Sequence, residues 1–266
     1  MGALHRGHGS LIALAASQCD VVVTTIFVNP LQFAPMDDLD AYPRDLDGDL
    51  ALAAAAGAEI VFAPSLTEMY PHGRQEVLTN VSVAAITDGL DGTARPGHFD
   101  GVATVVAKLF AIAGPCMAFF GEKDWQQLAV VRRMAFDLSF PVEIVGCPTV
   151  READGLALSS RNRYLAPADR AEADVVWRAL EAGTALVGSS RAGRLRPAEV
   201  SAVMLNVLNS SAVVASVDYA ACVDPLTLKT PSNIDSEVRL LIAARIGRLG
   251  STARLIDNCA ASPQLH

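Results

Sequence analysis

The chain has 266 residues, 51% of them hydrophobic, and carries a formal net charge of −8. That length suits one large domain or two smaller ones, and the apolar content excludes disorder. The acidic balance argues against a nucleic-acid surface, so any anionic ligand must be held by a local cluster of positive charge.

The first eight residues run Met1-Gly2-Ala-Leu-His5-Arg6-Gly7-His8 and are followed by Ser10–Ser17, which reads as helix. His5 and His8 thus fall on a loop feeding a helix N-terminus, where unpaired N–H groups and partial positive charge favour phosphate. Two imidazoles there can donate hydrogen bonds to phosphate oxygens. The competing reading is a pair of incidental histidines near a frayed end. A metal pair is weaker, because no cysteine or carboxylate lies close in sequence.

Val21–Val28 is a continuous β-branched run, as in a buried parallel strand. It ends at Asn29-Pro30-Leu31-Gln32. Ligands of open α/β sheets bind beyond strand carboxyl ends, which makes Asn29 and Gln32 candidate polar contacts; the alternative is a plain Asn-Pro turn. The acidic stretch Asp37–Asp49 leads into the helix Leu50–Ala56. Asp47 and Asp49 either favour the helix dipole or hold a Mg²⁺ that accompanies phosphates.

Glu59–Ala63 reads as a second strand and Val77–Val81 as another, before the loop Arg95–Gly101 and the helix Val102–Ala113. Arg95 and His98 either face an anion or are ordinary loop polars. Cys116–Phe120 is a strand ending at Gly121-Glu122-Lys123-Asp124-Trp125-Gln126-Gln127, with helix to about Leu138. Lys123 is a candidate cation for phosphate, Gln127 can bind a carboxylate or hydroxyl, and Asp124 can cap the helix. Val142–Val145 is one more strand. The alternation of strand and helix predicts a doubly wound parallel sheet over residues 1–149.

From Val150 the pattern changes. Val150–Gly155 reads as a hairpin with an Asp-Gly turn. Leu158-Ser159-Ser160-Arg161-Asn162-Arg163 joins hydroxyls to arginines, a loop able to wrap a triphosphate or simply a solvated basic loop. Helices Pro167–Leu186 and Pro197–Leu208 and strands near Val213–Val223, Glu237–Ile246 and Ala253–Asp257 make residues 150–266 a small α+β domain. Five scattered cysteines (Cys19, Cys116, Cys147, Cys222, Cys259), none in CxxC, fit reduced thiols and a cytoplasmic location. There is no signal-peptide pattern and no apolar run long enough for a bilayer, so no membrane partner is expected.

Taken together and in order, MGALHRGH, IFVNPLQF, DLDAYPR, RPGHF, FFGEKDWQQL, PTVREADGLALSSRNRYL and RLIDN resemble the pantoate–β-alanine ligase family of the HxGH nucleotidylyltransferase superfamily. The likeness covers nearly the whole chain. It implies a Rossmann-like fold and a homodimer. It also implies a reaction in which ATP and pantoate give a pantoyl-adenylate with Mg²⁺, and β-alanine then gives pantothenate and AMP. By this resemblance Met1, Gly2, His5 and His8 belong to the ATP-binding stretch, with His8 as the proton-donating histidine. Gly121, Glu122, Lys123 and Asp124 match the nucleotide-binding turn. Val150 matches a contact on the adenine side, and Leu158, Ser159, Ser160 and Arg161 match the second ATP loop, within a domain acting as a lid. His5, His8, Lys123 and Arg161 would act on the phosphates, and Gln32 and Gln127 would bind pantoate, Gln32 also serving β-alanine.

The chain departs from the family pattern at Arg6, Gly48, Trp125 and Leu158. It also starts after a strand and Pro-Thr that the family carries before MGALH. We therefore expect a longer natural chain or an impaired enzyme. A non-catalytic ATP-binding remnant and a different HxGH adenylyltransferase are the competing readings.

Overall fold

The computed structural model describes residues 2–33, 39, 42–248 and 252–264. The backbone forms two compact units, Met1–Thr149 and Val150–His266.

In the first unit α1 (Arg6–Ala16), β1 (Val23–Thr25), α2 (Leu46–Ala55) and β2 (Ile60–Phe62) come first. The short α3 (Leu66–Met69) and α4 (Asp91–Ala94) follow, then α5 (His98–Ala113), β3 (Cys116–Gly121), α6 (Trp125–Asp137) and β4 (Val142–Cys147). β1 runs parallel to β2 with Val23 opposite Ile60, and β3 parallel to β4 with Cys116 opposite Val142. Among the described residues no backbone ladder joins the two pairs.

Side chains on β2 and β3 alternate between two cores, as the two-residue period of a strand requires. Val61 and Phe119 pack with Ile12, Ala15 and Ala53 of α1 and α2. Phe62, Ala118 and Phe120 pack instead with the cluster of α5 and α6, which includes Val102, Val106, Val130 and Met134. Helices therefore cover both faces, the doubly wound arrangement. This places the βα turns after β1 and β3 at the carboxyl ends of their strands, where such folds bind ligands.

Two expected strands differ. Only Val23–Thr25 of the run Val21–Val28 is strand, and Val21 and Val23 are 55% and 53% exposed. β1 has β2 as its one ladder partner among the described residues and lacks the cover of a central strand. Val77–Val81 lies outside every strand; the Val81 N–H donates to Thr104 Oγ1 at 2.9 Å. A β-branched run becomes a strand only where another backbone is there to pair with it. Helix starts also move earlier: α1 begins at Arg6 and α5 at His98, so His8 and His98 are helical residues.

The second unit opens with the expected hairpin, in which Arg151 bridges Ala157 and the Glu152 N–H donates to Leu156 O at 2.8 Å. Gly155 has φ 89°, and a Cβ there would lie 2.0 Å from Trp177 Cδ1, so both backbone and space require glycine. After a 3₁₀ turn at Ser160–Tyr164 come α7 (Pro167–Glu172), α8 (Val175–Ser189) and α9 (Pro197–Asn209). The helix read as continuous over Pro167–Leu186 is thus divided, and Asp174 opens its second part with a carboxylate on Arg178 Nε at 3.0 Å. β5 (Val214–Val223), β6 (Val238–Ile246) and β7 (Ala253–Ala261) form an antiparallel sheet in that order. Its core joins Val176, Leu180, Met204 and Leu208 to Leu240 and Ile242. No helix among the described residues is long and apolar enough to cross a membrane.

Candidate active site

His5 is the N-cap of α1 and its backbone is extended. Its Nδ1 accepts the Gly7 N–H at 3.1 Å, while His8 Nδ1 accepts the His5 N–H at 3.2 Å. Two imidazoles thus do reciprocally what a serine and a glutamate do in an ordinary capping box. The ring centroids are 4.1 Å apart. Because each Nδ1 accepts a main-chain hydrogen, each neutral ring carries its proton on Nε2. Burial, then the charge of His5, lowers His8 to about 3. His8 is therefore neutral at pH 7 and carries a hydrogen on Nε2 to offer.

Asp49 is 3% exposed and lies in the first turn of α2. Its Oδ2 accepts the Ala3 N–H at 2.9 Å and its Oδ1 the Leu4 N–H at 2.5 Å. The grip holds Gly2 at φ 105° and Ala3 at φ 51°, left-handed conformations in the residues just before His5. Asp47 and Asp49 are the two carboxylates of the expected Mg²⁺ pair. Asp49 is committed to the backbone, Asp47 is exposed, and helix capping falls to Asp45, which accepts the Gly48 N–H at 3.0 Å. Among the described residues no three His, Cys, Asp or Glu side chains group to hold a metal. Met1 lies outside the described residues.

The turn after β3 brings Gly121, Glu122, Lys123 and Asp124 into a 3₁₀ helix that runs into α6. Asp124 and Lys123 both act on His8 electrostatically, with opposite sign, so the start of α1 and the turn after β3 share one field. Asp124 occupies the N-cap of α6 without a side-chain capping bond, so the capping expected of its carboxylate is absent. Gln126, not singled out from sequence, is buried. It accepts the Asp91 N–H and donates to Ile86 O and Gly89 O, all at 2.9 Å. Gln127 is half-buried, and its amide is not engaged by a described residue.

Asn29 is 1% exposed, and its amide uses all four of its hydrogen bonds inside the protein. Oδ1 accepts from Tyr70 Oη at 2.9 Å and Leu31 N at 3.3 Å; Nδ2 donates to Gly101 O at 3.0 Å and Gln32 Oε1 at 3.2 Å. It braces the Pro30–Gln32 turn against Tyr70 and Gly101. It also orients Gln32, since Oε1 must face Asn29 and the amide NH₂ the other way. Tyr70, pushed up to about 12 by burial, was invisible in the sequence because its partner lies 41 residues away. Arg95 lies in the bend after α4, as the loop reading expects, and His98 opens α5. Arg95 Nη1 meets His98 Nε2 at 3.0 Å, and His98 Nδ1 meets Gln32 O at 2.9 Å.

In the second unit Val150 O accepts the Leu158 N–H at 2.9 Å across the hairpin. Ser159 Oγ accepts the Arg161 N–H at 3.2 Å and caps the turn that carries Ser160 and Arg161. The Arg161 guanidinium reaches Arg254 O at 3.4 Å. Arg151, also missed, anchors this hairpin: it pairs with Asp257 at 2.6 and 3.0 Å and lies 3.8 Å from the Trp177 ring centroid.

Parallel strands with helices on both faces, and a histidine-capped first helix sharing a field with a lysine turn, define an α/β protein of the nucleotidylyltransferase class. Residues 1–260 match the family model described as Pantoate-beta-alanine ligase. The pantothenate synthetase of Deinococcus radiodurans is 52% identical over 266 residues, covering 97% of this chain and 90% of that one. The crystal structure of pantothenate synthetase from Thermus thermophilus superposes with a TM-score of 0.88 at 48% identity, covering 97% of this chain and 90% of that one. The ligase from Francisella tularensis, solved with Beta-gamma ATP and β-alanine, gives 0.73 at 33% identity, covering 97% and 86%. The chain belongs to the pantoate–β-alanine ligase family.

Proposed function

We propose that this chain condenses pantoate with β-alanine at the expense of ATP. The observation that carries the reading is the family match over residues 1–260. In the first step a pantoate carboxylate oxygen attacks the α-phosphorus, the bond to the leaving oxygen breaks, and pyrophosphate departs. In the second, the β-alanine amine attacks the acyl carbon, the acyl–oxygen bond breaks, and AMP departs with pantothenate formed.

Charge grows on phosphate oxygens in the first step, and preorganised donors lower its barrier. His5 and His8 each carry an Nε2 hydrogen for that purpose, and Lys123 supplies fixed positive charge. Gly2 and Gly121 to Asp124 would line the nucleotide. Gln32 and Gln127 would hold pantoate. In the second unit Val150 would meet adenine, and the turn Leu158 to Arg161 would bind polyphosphate through Arg161 and the two hydroxyls. Mg²⁺ enters this reading only as the counter-ion of the polyphosphate.

Homodimerisation is part of the proposal. Val77–Val81 is β-rich, pairs with no strand among the described residues, and carries Leu78 at 87% exposure. A cytoplasmic location is supported by five cysteines that are all free thiols.

ATP–pyrophosphate exchange tests the reaction. Exchange is expected to require pantoate, and Lys123→Ala is expected to slow it by roughly 10²–10³. Exchange without pantoate, or wild-type turnover in Lys123→Ala, would overturn the reading.

A further inference from the structure

We propose that His98 is a positioning residue for Gln32, gripping the main chain of the Pro30–Gln32 turn while Asn29 grips the Gln32 side chain. The inference rests on Gln32 being a pantoate contact, as proposed above.

Guanidinium groups only donate hydrogen bonds and carbonyl oxygens only accept them. Arg95 Nη1 faces His98 Nε2 at 3.0 Å, and Gln32 O faces His98 Nδ1 at 2.9 Å. One protonation state satisfies both: a neutral ring with hydrogen on Nδ1 and a lone pair on Nε2. His98 thus carries the opposite tautomer to His5 and His8. The Arg95 guanidinium selects that tautomer and aims its hydrogen at Gln32 O.

The two grips act on one residue. Asn29 Nδ2 holds Gln32 Oε1 at 3.2 Å and also donates to Gly101 O in α5. His98 is the first residue of the same helix. Backbone and side chain of Gln32 are therefore both referred to the first turn of α5. A substrate amide donor must be held to within about half an ångström to keep its geometry, which a turn fixed at one point does not guarantee. The Arg-Pro-Gly-His-Phe motif, which had no assigned chemistry, is in this view the support on which the Asn-Pro-Leu-Gln turn rests.

Two isosteric substitutions separate the two ring nitrogens. In His98→Asn the amide nitrogen falls where Nδ1 was, so the bond to Gln32 O survives and that to Arg95 is lost. In His98→Gln the amide oxygen falls where Nε2 was, so the reverse holds. Pantoate-dependent ATP–pyrophosphate exchange gives KM for pantoate and kcat separately. His98→Gln is expected to raise KM for pantoate about tenfold, with kcat within about threefold. His98→Asn is expected to keep KM within about threefold of wild type.

Deuterium exchange at the Gln32 and Phe33 amides provides the second readout, expected faster in His98→Gln and unchanged in His98→Asn. Equal behaviour of the two variants in that readout overturns the proposal. Gln32→Ala separates the premise: if it leaves KM for pantoate unchanged, Gln32 is not the contact. Amide exchange in the two His98 variants then still decides whether His98 fixes the turn.

Discussion

Asp49 accepts two successive main-chain N–H groups from the segment that delivers His5. An asparagine there keeps one acceptor and turns a second donor toward an N–H. Asp49→Asn should therefore loosen the histidine pair and lower kcat by about 10- to 100-fold, the scale of an ångström of misplacement. Asp47→Asn should stay within about twofold, because its exposed carboxylate can be exchanged at little cost. Both should keep the wild-type Mg²⁺ concentration for half-maximal rate; a clear rise in Asp47→Asn would restore a metal role. Residue types and spacing marked His5, His8, Gln32 and Lys123 as chemistry-bearing. They could not reveal that Asp49 binds backbone or that Asn29 is fully satisfied, because those roles depend on partners 45 or 41 residues away.

At the scale of elements, α5 lies so close to the Pro30–Gln32 turn that a Cβ on Gly101 would come within 2.2 Å of Leu31 O and 2.6 Å of Gln32 N. Gly101→Ala should push helix and turn apart, cost about 1–3 kcal/mol in urea unfolding, and raise KM for pantoate. Unchanged stability would mean that helix and turn approach less closely than these distances. β3 and β4 were legible to within two residues, since an apolar run bounded by Gly or Pro leaves little choice. Val77–Val81 also reads as a strand and is not one, because strand formation is decided by what lies alongside. The early start of α1 escaped notice because histidine is a poor local signal for a cap, and that of α5 because its N-cap is Gly97, which has no side chain to cap with.

At the scale of the whole molecule, His8 falls to about 3 and His98 is lowered too, in both cases chiefly through burial. The unfolded chain titrates these groups near the ordinary value of 6.5. Below that pH the unfolded state binds more protons than the folded one, so stability falls as pH falls. For His8 the loss begins near 6.5 and is complete near 3, with a slope of at most about 1.4 kcal/mol per pH unit. The folded protein also depresses Asp154, Asp224, Glu68 and Glu199, but these carboxylates add their loss only around and below their ordinary values of 3.8 and 4.5. Urea unfolding between pH 6.5 and 5 therefore isolates the histidines. Wild type should lose stability across that window faster than His8→Gln, and equal slopes would contradict the burial of His8.

Asparagine is among the best residues for starting a helix, and histidine is not. The first helix nevertheless starts on His5, whose Nδ1 does the work that an asparagine oxygen does with less side chain. His5→Asn keeps an acceptor for the Gly7 N–H and discards the ring beside His8 together with Nε2 and its hydrogen. Its melting temperature should rise, by an amount matching about 0.5–1 kcal/mol, while exchange activity drops. On that account the start of α1 records a compromise, in which a sturdier helix was given up for a hydrogen that only an imidazole could present.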